Sequence, residues 1–138
     1  MENVLLDTNV VLDIALERTE FYEPAKKLIE KLYLASIPAF VTASSVTDIY
    51  YVLKKKKGHL PTIGFLKNFF SIIDVVGVDK NIILNSLQSD RNDFEDAVQI
   101  ETAKQNDIST IITRNKKDFE NSGLQIVTPL EYINKTSE

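Results

Sequence analysis

The sequence predicts an α/β fold: a parallel sheet covered by helices on both faces, in one domain spanning residues 1–138. Two observations carry this. Five short apolar runs, at 3–6, 39–41, 72–76, 110–113 and 125–127, have the length of strands, and helical patterns separate them. Strands that alternate with helices build parallel sheets, because a parallel neighbour is reached only through a crossover. No internal repeat, low-complexity segment or interdomain linker interrupts the chain, and its length suits one ordinary core.

The elements follow in order. Val4-Leu5-Leu6 ends a buried strand over 3–6. Residues 9–18 read as a helix with Val10, Val11, Ile14 and Leu16 on its apolar side. Glu23-Pro24 marks the first turn of a second helix, where proline lacks nothing the helix needs. That helix runs to about 35, with Leu28, Ile29, Leu32 and Tyr33 spaced for one face, and Pro38 ends it. Ala39-Phe40-Val41 is the second strand. The helix after it starts near Ser44-Ser45, carries Val46, Ile49, Tyr50 and Leu53, and ends near Gly58, with His59 read as a loop residue. A further helix spans Pro61 to Phe70, and 72–76 is the third strand. Asp79 caps a helix from Lys80 to Gln88. Asp93 begins a helix reaching about Asn106. Residues 110–113 and 125–127 supply the fourth and fifth strands, and Pro129 opens a short helix leading into a polar tail.

Composition removes whole classes of chemistry. With no cysteine there is no disulfide framework, thiolate zinc site or thiol nucleophile. One histidine, His59, excludes a histidine-based metal cluster. The net charge of −4 argues against nucleic-acid binding through a globally basic surface. Such binding has to be local, metal-mediated or helped by a basic partner. No stretch reaches the ~18 apolar residues of a membrane span, and the start has no basic segment before an apolar one. The expectation is a cytoplasmic protein without a membrane partner.

The chemistry-bearing residues are acids. Asp7 follows the first strand, and in an open α/β sheet the residue past a strand's carboxyl end faces the ligand crevice. Asp48 lies in the helix after the second strand. Asp93 and Asp96 stand three apart at the start of the helix before the fourth strand, a spacing that shares one helix face. Asp118 comes five residues after the fourth strand. A set of aspartates without histidine or cysteine suits Mg²⁺ or Mn²⁺. Asp96 sits inside a helix, where aspartate is a poor former and no cap is needed. Asp93 reads equally as a ligand or a helix cap, and Asp118 likewise. Thr8 and Asn9 are expected to fix the turn after the first strand. Thr113 either does the same after the fourth strand or steers a metal-bound water. Asp13 lies past the first helical turn and is expected to hold backbone or a basic side chain. Arg91 and Arg114 are the candidate phosphate contacts. The run Lys54–Lys57 reads first as charge placed at a helix C-terminus.

Three segments together resemble a known family. Leu5-Leu6-Asp7-Thr8-Asn9, Asp93-Phe94-Glu95-Asp96-Ala97 and Ile112-Thr113-Arg114-Asn115-Lys116-Lys117-Asp118-Phe119 resemble the signature blocks of PIN domains, in order and at the expected separations. The chain is similar to the small single-domain type that includes the ribonuclease toxins of VapBC-like toxin–antitoxin pairs. The resemblance implies a five-stranded sheet in order 3-2-1-4-5 and divalent-metal-dependent hydrolysis of RNA, with two metals. It also implies a homodimer and a small antitoxin protein as partner. Asp7, Asp48 and Asp96 are then the catalytic acids, with Asp93 beside them. Asp48 falls where the family usually has glutamate, one methylene longer. Asn115 falls where it often has aspartate, a charge that Asp118 is placed to supply. The two shortened or neutral positions leave open a non-catalytic RNA- or partner-binding module. A DNA-acting 5′ nuclease-like enzyme is a third reading, against which the short chain leaves no room for DNA-clamping elements.

Overall fold

A computed structural model describes residues 2–135. The strands β1 (Val4–Leu6), β2 (Ala39–Thr42), β3 (Asp74–Val76), β4 (Thr110–Ile112) and β5 (Gln125–Val127) form one sheet, wholly parallel, in the order β3-β2-β1-β4-β5. The helices are α1 (Thr8–Ala15), α2 (Tyr22–Leu34), α3 (Ala43–Lys57), α4 (His59–Phe69), α5 (Lys80–Leu87), α6 (Phe94–Gln105) and α7 (Pro129–Ile133), with a 3₁₀ turn at Lys116–Phe119.

The pleat explains the two layers. Successive strand residues point to opposite faces, so Val4 and Leu6 join Val10, Val11, Leu28, Leu32, Ile49 and Leu53 in one core, beneath α1, α2 and α3. Leu5 faces the other way and packs with Ile100, Ala103, Ile108, Ile111 and Phe119. All three residues of β1 are therefore buried, which is why the central strand shows no polar alternation.

Local signals set several helix ends. Asp79 accepts the Ile82 N–H at 2.9 Å as the cap of α5. Thr128 and Glu131 make a reciprocal capping box at the start of α7. Gly58, at φ +84°, joins α3 directly to α4 in a backbone region that costs other residues strain. That join corrects the loop expected at His59. It is the first residue of α4, and its Nδ1 lies 2.7 Å from the Tyr50 hydroxyl.

Other boundaries move as well. The first helix begins at Thr8 and stops at Ala15, not 9–18, because the residues after it turn back through bonds such as Arg18 N–H to Asp13 O. The third strand begins at Asp74; Ile73 is tied to the end of α4 by its N–H to Phe69 O and is buried. Tyr33, expected on the buried face of α2, is 64 % exposed, whereas Leu28 and Leu32 are buried. The polar tail after α7 runs into residues 136–138, which lie outside the described residues. No helix among the described residues is long and apolar enough to cross a membrane.

Candidate active site

Strand order alone brings the first and fourth strands together at the sheet's switch point, where adjacent connections leave in opposite directions. Leu6 pairs with Ile112, so the next residues, Asp7 and Thr113, stand side by side at the carboxyl ends of β1 and β4. Thr113 donates its hydroxyl to Asp7 Oδ2 at 2.8 Å, and its own oxygen accepts the Asn115 N–H at 3.0 Å. It thus fixes the turn and holds the acid together. Asp7 occupies the N-cap position of α1 but makes no side-chain cap bond there. It is only 5 % exposed. Burial pushes its carboxyl up, and the charge of Asp118 adds to the shift. Bonds from Gln99, Thr113 and the Thr8 backbone oppose it.

The N-terminus of α6 brings the next acids. Asp93 is the cap, accepting the Asp96 N–H at 3.0 Å. Capping leaves it available to the cleft: carboxylate oxygens of Asp93, Glu95 and Asp96 all lie within 4.8 Å of one another. Asp96 is pushed up to about 7, first by burial and then by the charges of Asp93, Asp7, Asp118 and Glu95. Glu95 also rises to about 7, by burial and by its hydrogen bond with Asp48. Like charges gathered in a half-buried place disfavour ionisation, and a cation would relieve that penalty.

Asp48 and Asp118 complete the ring from either side. Asp48 is exposed on α3 and meets Glu95, whose other contact is Thr8 Oγ1 at 3.2 Å. Thr8 Oγ1 also lies 2.8 Å from Ser45 Oγ, which in turn bonds Thr42 Oγ1, linking α1, α3 and β2. Asp118 sits within the 3₁₀ turn and is not its cap; Asn115 takes that position. The charge of Asp118 reaches both Asp7 and Asp96. Beside these acids opens a cleft of about 620 Å³ lined by Asp93, Asp96, Asp118, Lys104 and Lys117 among others.

Several expected roles are reassigned. Asn9 does not fix the turn; its Oδ1 accepts from Arg18 at 3.2 Å. Arg114 is engaged with Asp13, donating Nε to Oδ2 at 2.9 Å, and lies 4.1 Å over the Phe21 ring. Asp13 meets Arg18 at 3.1 Å as well, so it holds basic side chains as its position suggested. Arg91 lines the cleft, but its guanidinium is spent on the Asp118 and Glu120 carbonyls at 3.2 and 2.7 Å. Lys54–Lys57 occupy the last turn of α3, roughly 9–14 Å further along the axis than Asp48 by helical rise.

Two residues escaped the sequence reading. Glu95 follows Asp93 by two, a spacing that does not share a helix face, yet a cap residue is not helical and that spacing does not apply to it. The available signal was three acids in four residues where one suffices to cap. Gln99 is fully buried and donates Nε2 to Asp7 Oδ1 at 3.1 Å. Its signal was a lone amide among Ala97, Val98 and Ile100, three residues beyond Asp96.

Known proteins are similar to this chain in sequence or in fold. Ribonuclease VapC1 of Aquifex aeolicus (strain VF5) is 28 % identical over 138 residues, covering 97 % of this chain and 95 % of that protein. The toxin–antitoxin complex from Klebsiella pneumoniae contains a chain of the same fold, with a TM-score of 0.70 at 24 % identity, over 92 % of this chain and 98 % of that one. The DNA-bound VapBC of Salmonella typhimurium has another, with a TM-score of 0.72 at 16 % identity, over 94 % and 99 %. The PIN domain profile matches residues 3–117. With its sheet order, its acids at the ends of β1 and α6, and that match, the chain belongs to the PIN domain family.

Proposed function

We propose that this chain is a divalent-metal-dependent endoribonuclease that hydrolyses RNA phosphodiester bonds, acting as the toxin of a type II toxin–antitoxin pair. One observation carries the reading: Asp7, Asp93, Glu95, Asp96 and Asp118 converge on one end of the sheet with no basic side chain bonded to any of their carboxylates among the described residues. Acids that serve structure alone are normally paired or capping; Asp13, with its two arginines, shows what pairing looks like here, and of the five Asp93 both caps α6 and faces the other acids. The likeness to a ribonuclease over nearly the whole chain supports the same reading.

The donor set fits a hard cation. It is all oxygen, mixes buried and exposed carboxylates, and has room for the waters that Mg²⁺ or Mn²⁺ keeps. Asp7 and Asp96, with Asp93, Asp48 and Asp118 around them, are the residues that would hold it, and Glu95 joins them. Bound there, the metal supplies positive charge for the phosphoryl oxygens and acidifies water. The chain's own part is positional. Thr113 and Gln99 hold the two oxygens of Asp7, Asp93 holds the first turn of α6 and with it Asp96, and Thr8 holds Glu95. A partner that adds basic surface would offset the acidic charge, and the solved relatives in toxin–antitoxin complexes support a small antitoxin protein in that role. A cytoplasmic location goes with that reading.

The test pairs the purified wild type with Asp7→Asn on a mixed RNA pool, with Mn²⁺ and with EDTA. Cleavage by the wild type alone, only with metal, is the expected result. Equal cleavage by both proteins means contamination. No cleavage by the wild type on a broad set of RNAs moves the reading to a non-catalytic RNA- or partner-binding module.

A further inference from the structure

Gln99 is placed where an apolar residue would be easier to accommodate. It is 0 % exposed on α6, among the buried side chains of Ala97, Val98 and Ile100. Its Nε2 donates to Asp7 Oδ1 at 3.1 Å, while its Oε1 is buried with no hydrogen-bond partner among the described residues. A buried carbonyl left unpaired costs free energy that leucine or methionine would not incur. The reversed amide would set Oε1 against the Asp7 carboxylate, oxygen against oxygen, so donation is the orientation that electrostatics require.

The geometry of the grip matters more than the single bond. A carboxylate turns broadly about its last torsion when nothing holds it. Here Gln99 holds Oδ1 from α6 and Thr113 holds Oδ2 from β4 at 2.8 Å, so the plane of the Asp7 carboxylate is set from two different elements. With about four lone-pair sites on its two oxygens, the carboxylate keeps room for another partner. Gln99 and Asp96 share α6 at a three-residue spacing, so the bond also sets Asp7 in register with Asp96.

We propose that Gln99 is a positioning residue of the site: its N–H holds the Asp7 carboxylate in the plane that presents the remaining lone pairs to a divalent cation bound jointly with Asp96. This rests on the metal-dependent reading above. A residue of this kind acts through the ligand it orients, and removing it typically weakens metal binding 10–100-fold.

The test compares wild type, Gln99→Met and Asp7→Asn by calorimetric titration with Mn²⁺ alone at one fixed pH, and by thermal melting in EDTA. Gln99→Met keeps length and shape and removes the donor and the orphaned carbonyl together. Mn²⁺ affinity weakened at least ~10-fold, with a melting temperature in EDTA equal to or above the wild type, is the expected result. In RNA cleavage the same variant should lose kcat and keep KM, since Gln99 has no path to substrate. Wild-type Mn²⁺ affinity overturns the proposal, and so does a melt in EDTA well below the wild type, which would make Gln99 an ordinary structural residue. Asp7→Asn separates the two levels. If it abolishes Mn²⁺ binding while Gln99→Met does not weaken it, the positioning role alone fails; if Asp7→Asn binds Mn²⁺ as the wild type does, the metal reading itself fails.

Discussion

Thr113 donates to Asp7 across the seam between β4 and β1, at 2.8 Å, one residue beyond the last register pair of those strands. The bond joins two segments that are 106 positions apart in sequence, and it holds the most buried acid of the site. The acid it holds is the one whose loss should be felt most.

Asp7→Asn should reduce metal-dependent RNA cleavage by ~10³-fold or more, the order expected when a charged group acting in the transition state is lost. The melting temperature in EDTA should hold steady or rise, because one source of repulsion with Asp96 and Asp118 is gone. The stabilisation that Mn²⁺ gives the wild type by mass action should shrink or vanish. Scanning calorimetry with and without Mn²⁺, beside an RNA cleavage assay, reads all three.

Stability without metal should fall as pH rises. Glu95 and Asp96 are both raised to about 7, from ordinary values of 4.5 and 3.8. Between those limits the folded chain keeps protons that the unfolded chain has released, so stability is fully present at the acid end and is lost on the way to about pH 7. Melts in EDTA at about pH 5 and about pH 8 should place the higher melting temperature at the lower pH. Mn²⁺ should raise the value at pH 8 more than at pH 5, because cation and proton compete for the same oxygens. A profile in EDTA that climbs with pH would contradict this assignment of the acids.

Asp118 should matter more than Asn115. The charge of Asp118 is felt at both Asp7 and Asp96, while Asn115 spends its backbone N–H on Thr113 and stands exposed at the start of the 3₁₀ turn. Asp118→Asn should therefore weaken Mn²⁺ binding measurably, and Asn115→Asp should change it little. The same titration on both variants decides the order.

Arg114→Gln should cost stability and leave RNA affinity unchanged. Asp13 is 2 % exposed, and Arg114, itself 25 % exposed, is one of its two partners. Removing that partner leaves a buried carboxylate with Arg18 alone, a loss of ~1–3 kcal/mol for a bond to a charged group. Urea unfolding measures the stability, and filter binding of RNA by the Asp7→Asn background measures the affinity.

Two copies should associate. Tyr33 and Leu34 on α2 and Tyr51 on α3 are 64 %, 81 % and 64 % exposed. Exposed apolar groups of this size favour symmetric pairing. Sedimentation at tens of micromolar should show a dimer, and Leu34→Lys with Tyr51→Lys should shift it to monomer.

Sequence by itself determined the layers of this protein. Apolar runs of strand length between helical patterns could be satisfied only by a sheet buried on both faces, and Asp79 and Pro129 announced their helices, one as a cap and the other as a first-turn residue. Asp7 and Asp96 were legible as candidates too, because a carboxylate just past a strand faces the ligand crevice and Asp96 shares a helix face with Asp93. Tertiary structure decided everything that depends on which side chain reaches which. Arg114 looked free for phosphate until the fold set it against Asp13, 101 positions away, and Asn9 looked like a turn residue until Arg18 reached it. Asp48 joined the acid cluster only when α3 brought it to Glu95, and Gln99 only when α6 packed across the end of β1. Spacing along a helix or strand fixes neighbours a few residues apart. Contacts between elements follow from packing the whole sheet, and no local pattern encodes them.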